Sequence, residues 1–147
     1  MLASGVLAAL APSATAADNT KLTGSFSFSD TGTCVDPIQV AGSYDETLHT
    51  YYDQNGNAIR LSFTGKVKVT YTDLNTGSAY SPNSSGPGTV DLQTGQTVLR
   101  GGDGTFFDAN GNLLATDGRI VLDAGGNVIF AAGHQTGVCQ QLGTAPA

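Results

Sequence analysis

The sequence predicts an all-β fold, a single antiparallel meander of about 8–10 strands. Three observations predict it. Apolar and polar residues alternate through the longest segments, turn motifs rich in Asp, Asn and Gly separate them, and only 12% of the 147 residues are charged while 20 are Gly. A helical bundle would be richer in Glu, Lys, Ala and Leu. The length fits one domain.

The clearest strand runs from Ala58 to Thr72, with apolar residues on one face, polar residues on the other and Gly65 at its centre. A second long strand precedes it, with Gly42 in its middle and, on one face, Ile38, Val40, Tyr44, Leu48 and Tyr52. A central glycine predicts a bend or a close backbone approach. We therefore expect a small closed barrel, with a two-sheet β-sandwich as the alternative. Shorter strands are predicted at 25–29, 89–93, 96–100, 105–108, 112–116, 119–123 and 127–132, and an irregular loop at 78–88.

A turn motif recurs along the chain. Asp53-Gln54-Asn55-Gly56-Asn57 is matched by Asp108-Ala109-Asn110-Gly111-Asn112, and more loosely by Asp123-Ala124-Gly125-Gly126-Asn127. A fourth, degenerate copy is Asp73-Leu74-Asn75-Thr76-Gly77. Asp caps such a turn, and Asn-Gly or Gly-Gly supplies positive φ angles. A calcium loop of the EF-hand type has its Gly at position six and a Glu at position twelve, whereas here Gly is the fourth residue. The motif predicts hairpins, and we expect no metal and no cofactor.

Residues 1–17 predict a signal peptide, which would make the protein secreted. The run from Leu2 to Ala11 is apolar and uncharged, and Ala14-Thr15-Ala16 supplies the small residues that signal peptidase recognises. The usual positive charge before the apolar run is missing, which indicates a signal peptide truncated at its start. The run is too short to span a membrane, which takes ~20 residues. Residues 18–147 are then a single β domain with no transmembrane segment, ending in a short, flexible and unstructured tail after Cys139.

Cys34 and Cys139 are the two cysteines of the chain. In an exported protein they predict one disulfide that joins the two ends of the domain. A pair of metal-binding or catalytic thiols is the alternative, but no CxxC spacing supports it. The net charge of −6 and the pI near 4.4 disfavour nucleic acid and anionic membranes as partners.

Glu46 is the candidate residue for chemistry. The alternation of its strand places this carboxylate on the apolar face with Tyr44 and Tyr52, where burial would raise its pKa and a tyrosine hydroxyl could pair with it. The alternatives are a β-bulge at 43–47 that turns Glu46 outward, or a position of Glu46 near the mouth of the barrel. These three residues are weak catalytic candidates. His49 and His134 are predicted to be surface residues, and no nucleophile motif accompanies them.

The two cysteines, the paired Asp-x-Asn-Gly-Asn hairpins and the run from Gly118 to Phe130 resemble small secreted β-rich proteins of unknown function from high-GC Gram-positive bacteria. That resemblance implies no activity. In architecture the predicted barrel is similar to the lipocalin and dirigent folds, and a shared fold does not determine function.

We therefore expect a secreted non-catalytic module that binds a small apolar ligand in an aromatic-rich interior, or contacts a protein or the cell envelope. The alternative is a barrel enzyme that uses Glu46 with Tyr44 or Tyr52 for proton transfer. The sequence does not predict the oligomeric state.

Overall fold

The computed structural model describes residues 15–102 and 104–147. Residues 1–14 of the predicted signal peptide therefore lie outside the described residues. Within the described part, the chain forms eleven strands and one short helix. The elements are β1 (Thr15–Asp30), β2 (Ile38–Tyr52), β3 (Ala58–Asp73), β4 (Ala79–Tyr80), β5 (Gly88–Asp91), β6 (Thr97–Arg100), β7 (Gly104–Phe107), β8 (Leu113–Thr116), β9 (Arg119–Leu122), β10 (Val128–Ala132), β11 (Gln135–Gly137) and α1 (Val138–Leu142).

The strands form two antiparallel sheets, which confirms the all-β, antiparallel prediction. The large sheet has the order β1-β2-β3-β5-β6-β9-β10, and β4 pairs with the far end of β3. The small sheet has the order β11-β8-β7. Most neighbours are joined by short turns, as a meander requires, but β7 and β8 leave the large sheet and the chain returns to it at β9. β1 begins ten residues earlier than the predicted strand at 25–29.

The predicted closed barrel is not found. In the described part of the chain, β1 and β10 are the two edges of the large sheet, and no ladder joins them. The apolar face of the large sheet is instead partly covered by the small sheet. A sandwich or an open sheet fits this arrangement.

The two faces of the large sheet follow the predicted alternation. On one face the register brings apolar residues of β1, β2 and β3 side by side, as in the neighbouring residues Phe28, Val40 and Tyr71. The opposite face carries Ser, Thr and charged residues, including an exposed ion pair between Lys21 and Asp45. We call the first of these the apolar face.

Aromatic rings lie over glycines along the apolar face. A Cβ added at Gly42 would come within 2.5 Å of the Phe26 ring and of the Lys68 carbonyl oxygen. A ring that covers a cross-strand glycine replaces the missing side-chain packing and fixes the register. The three cross-strand pairs of this kind are Gly24 with Tyr44, Gly42 with Phe26, and Gly88 with Phe63.

Close backbone approach at Gly65, one of the two predicted outcomes, is found. Its φ is 153°, and an added Cβ would lie 2.6 Å from the Glu46 Cα. Gly65 therefore lets β2 and β3 stay in register through their centre.

The core lies at one end of the large sheet, between that sheet, the small sheet and α1. Its apolar members are Cys34, Ile38, Val40, Tyr71, Leu113, Ala115, Val138, Cys139 and Leu142. The predicted aromatic-rich interior is not found, since Tyr71 is the aromatic member of this set. Phe26, Phe28, Phe107 and Phe130 are exposed.

The disulfide between Cys34 and Cys139 is present, with a Cα–Cα distance of 5.6 Å, and both residues are 1% exposed. It joins the segment before β2 to α1. The prediction of an unstructured tail after Cys139 is wrong. The N–H of Val35 donates to Ala145 O and that of Ala147 to Thr33 O, which pairs the tail with the chain around Cys34. The disulfide brings the two segments together, and these bonds extend the contact.

The predicted irregular loop at 78–88 contains β4 and is tied to β3. The hydroxyl of Ser85 accepts a hydrogen bond from Val67 N–H and donates one to Val67 O, both at 3.0 Å. In the stretch of chain between β4 and β5, the Ser85 side chain thus takes the place of backbone pairing with β3.

Candidate functional site

Glu46 lies where the alternation predicts, on the apolar face opposite Gly65. The bulge considered at 43–47 is not found, because the pairing of β2 with β1 and with β3 runs through these residues without a shift. Glu46 is half-buried and lines a shallow groove of about 330 Å³ with Phe63, Val67 and Leu99. One carboxylate therefore reaches an apolar groove.

The structure does not bring the two tyrosines to Glu46. The Tyr44 ring covers Gly24, and the Tyr52 hydroxyl donates to Asp18 Oδ2 at 3.0 Å, which raises the pKa of Tyr52. Tyr52 lies six positions after Glu46 on an extended strand, or about 20 Å away at roughly 3.4 Å per residue. No hydrogen bond joins Glu46 to Tyr44 in the described part of the chain. The three candidates form no acid–base cluster.

The two histidines lie apart in the fold. His49 is on β2, where its Nδ1 is hydrogen-bonded to Asn19 Oδ1, and His134 lies between β10 and β11. In residues 15–102 and 104–147 no three His, Cys, Asp or Glu side chains gather in a way that could hold a metal ion. Within the same residues, no helix is both long and apolar enough to cross a membrane.

The Asp residues of the repeated turns are used internally. Asp108 Oδ1 accepts the N–H of Asn110 and of Asn112, at 2.8 and 2.9 Å, and its Oδ2 accepts Asn112 Nδ2. The same arrangement occurs at Asp53 and Asp123. Hydrogen bonds from the Asn four residues later lower the pKa of all three carboxyl groups. These oxygens stabilise hairpins, which is the predicted role.

A second type of turn occurs twice in the structure. Asp73-Leu74-Asn75-Thr76-Gly77 is not a degenerate copy of the first motif, because Asp91-Leu92-Gln93-Thr94-Gly95 repeats its own pattern. In both, Asp Oδ1 accepts the N–H groups two and three residues later. In both, the Thr hydroxyl accepts the N–H two residues beyond it. The shared Asp-Leu-x-Thr-Gly spacing is the sequence signal for this turn.

An apolar pocket of about 230 Å³ lies between the two sheets, and we call it the intersheet pocket. Its buried wall is formed by Ile38, Val40, Tyr71 and Leu113, which are 1–9% exposed. Phe28 from β1 and Phe107 from β7 also line it and are 54% and 57% exposed. A buried apolar wall with two exposed aromatic rings can bind an apolar group of matching size.

Alternation along β7 positions the side chains that reach this pocket from the small sheet. Phe107 pairs with Leu113, and Thr105 pairs with Ala115, so these four residues share one face of the β7–β8 ladder. Leu113 and Ala115 are core residues, which shows that this face is turned toward the large sheet. Phe106 falls on the other face. Phe107 was not predicted as a site residue, although two consecutive phenylalanines in a strand must face opposite sides.

The residues with polar side-chain atoms that line the intersheet pocket are Asp30, Thr33, Tyr71 and Thr105. The Tyr71 hydroxyl donates to Thr105 Oγ1 at 2.9 Å, and burial raises the pKa of Tyr71. Asp30 Oδ1 accepts the N–H of Thr33 at 2.8 Å and that of Gly32 at 3.0 Å. These bonds lower the pKa of Asp30 and keep its carboxyl group ionised. The pocket thus combines apolar walls, a hydroxyl pair and one negative charge.

Comparison of this chain with protein-family models, with curated proteins and with solved structures gave no match.

Proposed function

We propose that the protein is a secreted, non-catalytic binding module that holds a small apolar group in the intersheet pocket. The observation that carries this proposal is the pairing of a buried apolar wall with two aromatic rings, Phe28 and Phe107, that stay more than half exposed. Exposed aromatic rings at a concave apolar site are typical of binding surfaces. The buried disulfide supports an extracellular location, because such bonds persist in oxidising compartments.

The size and charge of the pocket limit the ligand. An apolar cavity of roughly 150 Å³ holds benzene, so about 230 Å³ suits a substituted ring, a short branched chain or one apolar side chain of a partner protein. Asp30 and the net charge of −6 disfavour anions such as fatty acids. We infer a neutral or cationic ligand whose donor group contacts Asp30.

The pocket also bears on architecture. The small sheet covers one end of the apolar face of the large sheet. This cover supports a partial sandwich rather than a closed barrel as the architecture. The proton-transfer enzyme is less well supported. Tyr44 covers Gly24 and makes no hydrogen bond to Glu46 among the described residues, and Tyr52 lies about 20 Å from Glu46 along β2 at roughly 3.4 Å per residue.

Ligand-observed NMR tests the proposal. The signals of indole should show saturable binding to the protein, and those of octanoate should not. Phe107→Ala should weaken binding about tenfold, since truncating an aromatic anchor commonly costs more than 1 kcal/mol. Phe130→Ala, which removes a comparably exposed ring from β10, is the matched control. Equal binding by both variants and the unaltered protein would refute the proposal.

A further inference from the structure

A second pocket, also of about 230 Å³, lies where three distant segments meet. These segments are the loop after β4, the end of β8 and the region around the start of β11. The polar side chains that line it are Tyr80, Asn83, Thr116, Asp117, His134 and Thr136. The two pockets share no lining residue, so a function of this second site is independent of the function proposed for the intersheet pocket. We call this site the polar pocket.

Hydrogen bonds hold the side chains of Asp117 and Asn83 in place, and each keeps one polar atom free to bind a ligand. Asp117 Oδ1 accepts the backbone N–H of His134 at 3.0 Å, and Asp117 N–H donates to His134 O at 3.3 Å. Asp117 Oδ2 has no hydrogen-bond partner among the described residues. Asn83 Oδ1 accepts the N–H of Ser85 at 3.1 Å, which leaves its Nδ2 as a donor. The pocket thus offers a fixed acceptor and a fixed donor.

The lining selects the class of ligand. No Lys or Arg of the described chain lines the pocket, and Asp117 adds a negative charge, so phosphate and other anions are disfavoured. The space exceeds the cavity of roughly 150 Å³ that holds benzene, which allows a six-membered ring with substituents. Several donors and acceptors beside the Tyr80 ring suit a ring that has hydroxyl groups on its edge and an apolar surface. We propose that the polar pocket binds one neutral sugar ring, such as the terminal unit of a glycan.

Amide NMR spectra of the ¹⁵N-labelled protein test this directly. Titration with the methyl glycosides of glucose, galactose, mannose and N-acetylglucosamine should shift the amides of Asn83, Asp117 and His134 saturably for at least one sugar. Cyclohexanol has the ring but a single hydroxyl, and should bind at least about tenfold more weakly because it makes fewer hydrogen bonds. Inorganic phosphate should not shift these amides.

Two variants separate binding from folding. Asp117→Asn keeps an oxygen for the His134 N–H but loses the second acceptor, and should weaken sugar binding about tenfold or more. Thr136→Val conserves side-chain shape, removes one hydroxyl and should also weaken binding. Asp45→Asn is the control. Asp45 is an exposed acid on the face of the large sheet opposite the apolar face, and this variant should bind sugar normally. The proposal is overturned if no glycoside shifts the pocket amides up to its solubility limit. It is equally overturned if cyclohexanol binds as tightly as the sugars, or if both pocket variants bind like the control.

Discussion

Removing the disulfide should cost this protein a large part of its stability. Cys34 and Cys139 are 105 residues apart in sequence, and chain-entropy arguments for a loop of about that length give roughly 4.7 kcal/mol at 25 °C. Domains of this kind are stable by about 5–15 kcal/mol in total. The double variant Cys34→Ala/Cys139→Ala should therefore be marginally folded at 25 °C. Its loss should exceed the entropic figure slightly, because both residues are buried beside Val138 and Leu142.

Guanidinium unfolding followed by circular dichroism measures this loss. The double variant should unfold at a much lower denaturant concentration, and its m-value should rise, because an unfolded chain without a crosslink exposes more surface. If the variant is unfolded in plain buffer, added sucrose restores a measurable baseline for both proteins. A loss below about 1 kcal/mol would refute the reasoning. It would mean that the unfolded chain stays compact enough without the crosslink to keep its two ends close.

Local contacts give three further predictions. Stability should fall as the pH drops from 5 to 2, because Asp53, Asp108 and Asp123 have lower pKa values when folded than the ordinary value of about 3.9 when unfolded. Their contribution is present above that value and is lost as they protonate, so an unfolding midpoint that does not change with pH would contradict it. Gly42→Ala should destabilise by about 1–3 kcal/mol in guanidinium unfolding, because the new Cβ meets Phe26 and Lys68 O. Gly32→Ala, where nothing lies within 4 Å, should be nearly neutral, and equal losses would contradict the argument. Tyr71→Phe should cost about 1 kcal/mol in the same assay through loss of the hydrogen bond to Thr105, and an unchanged midpoint would show that this bond contributes nothing.

Local patterns predicted most of the strands because their causes are local. Alternation fixed the faces of β2 and β3, and the placement of Gly65 and of the Asp-x-Asn-Gly-Asn turns followed from backbone conformation. The early start of β1 was missed because residues 15–17 belong to the predicted signal peptide and residues 18–24 contain a single large apolar residue, Leu22, so no alternation marks the strand there. The helix α1 was missed because five residues around a buried cysteine show no helical periodicity.

Closure of the sheet and formation of the intersheet pocket depend on distant contacts that alternation does not encode. A strand pattern does not specify whether β10 pairs with β1 or remains an edge, nor which short strands leave the sheet. β7 and β8 leave the large sheet and form the small sheet, and this determines both the open edge of the large sheet and the position of the intersheet pocket. These strands cover the end of the apolar face that contains Val40 and Tyr71, and they place Phe107 beside Phe28. The intersheet pocket therefore exists because the sheet does not close.

The incomplete cover also leaves aromatic rings of the apolar face exposed. A closed barrel would bury Phe26 and Phe28, but here the small sheet reaches only the start of β2 and the end of β3, and both rings remain exposed. Burial of an apolar side chain gains about 1.5–3 kcal/mol, so leaving several in water is unfavourable for the free protein. The exposed rings lie next to the intersheet pocket, and a ligand that fills the pocket would cover part of them at the same time. The same feature that weakens the isolated fold would thus favour the binding that we propose for the intersheet pocket.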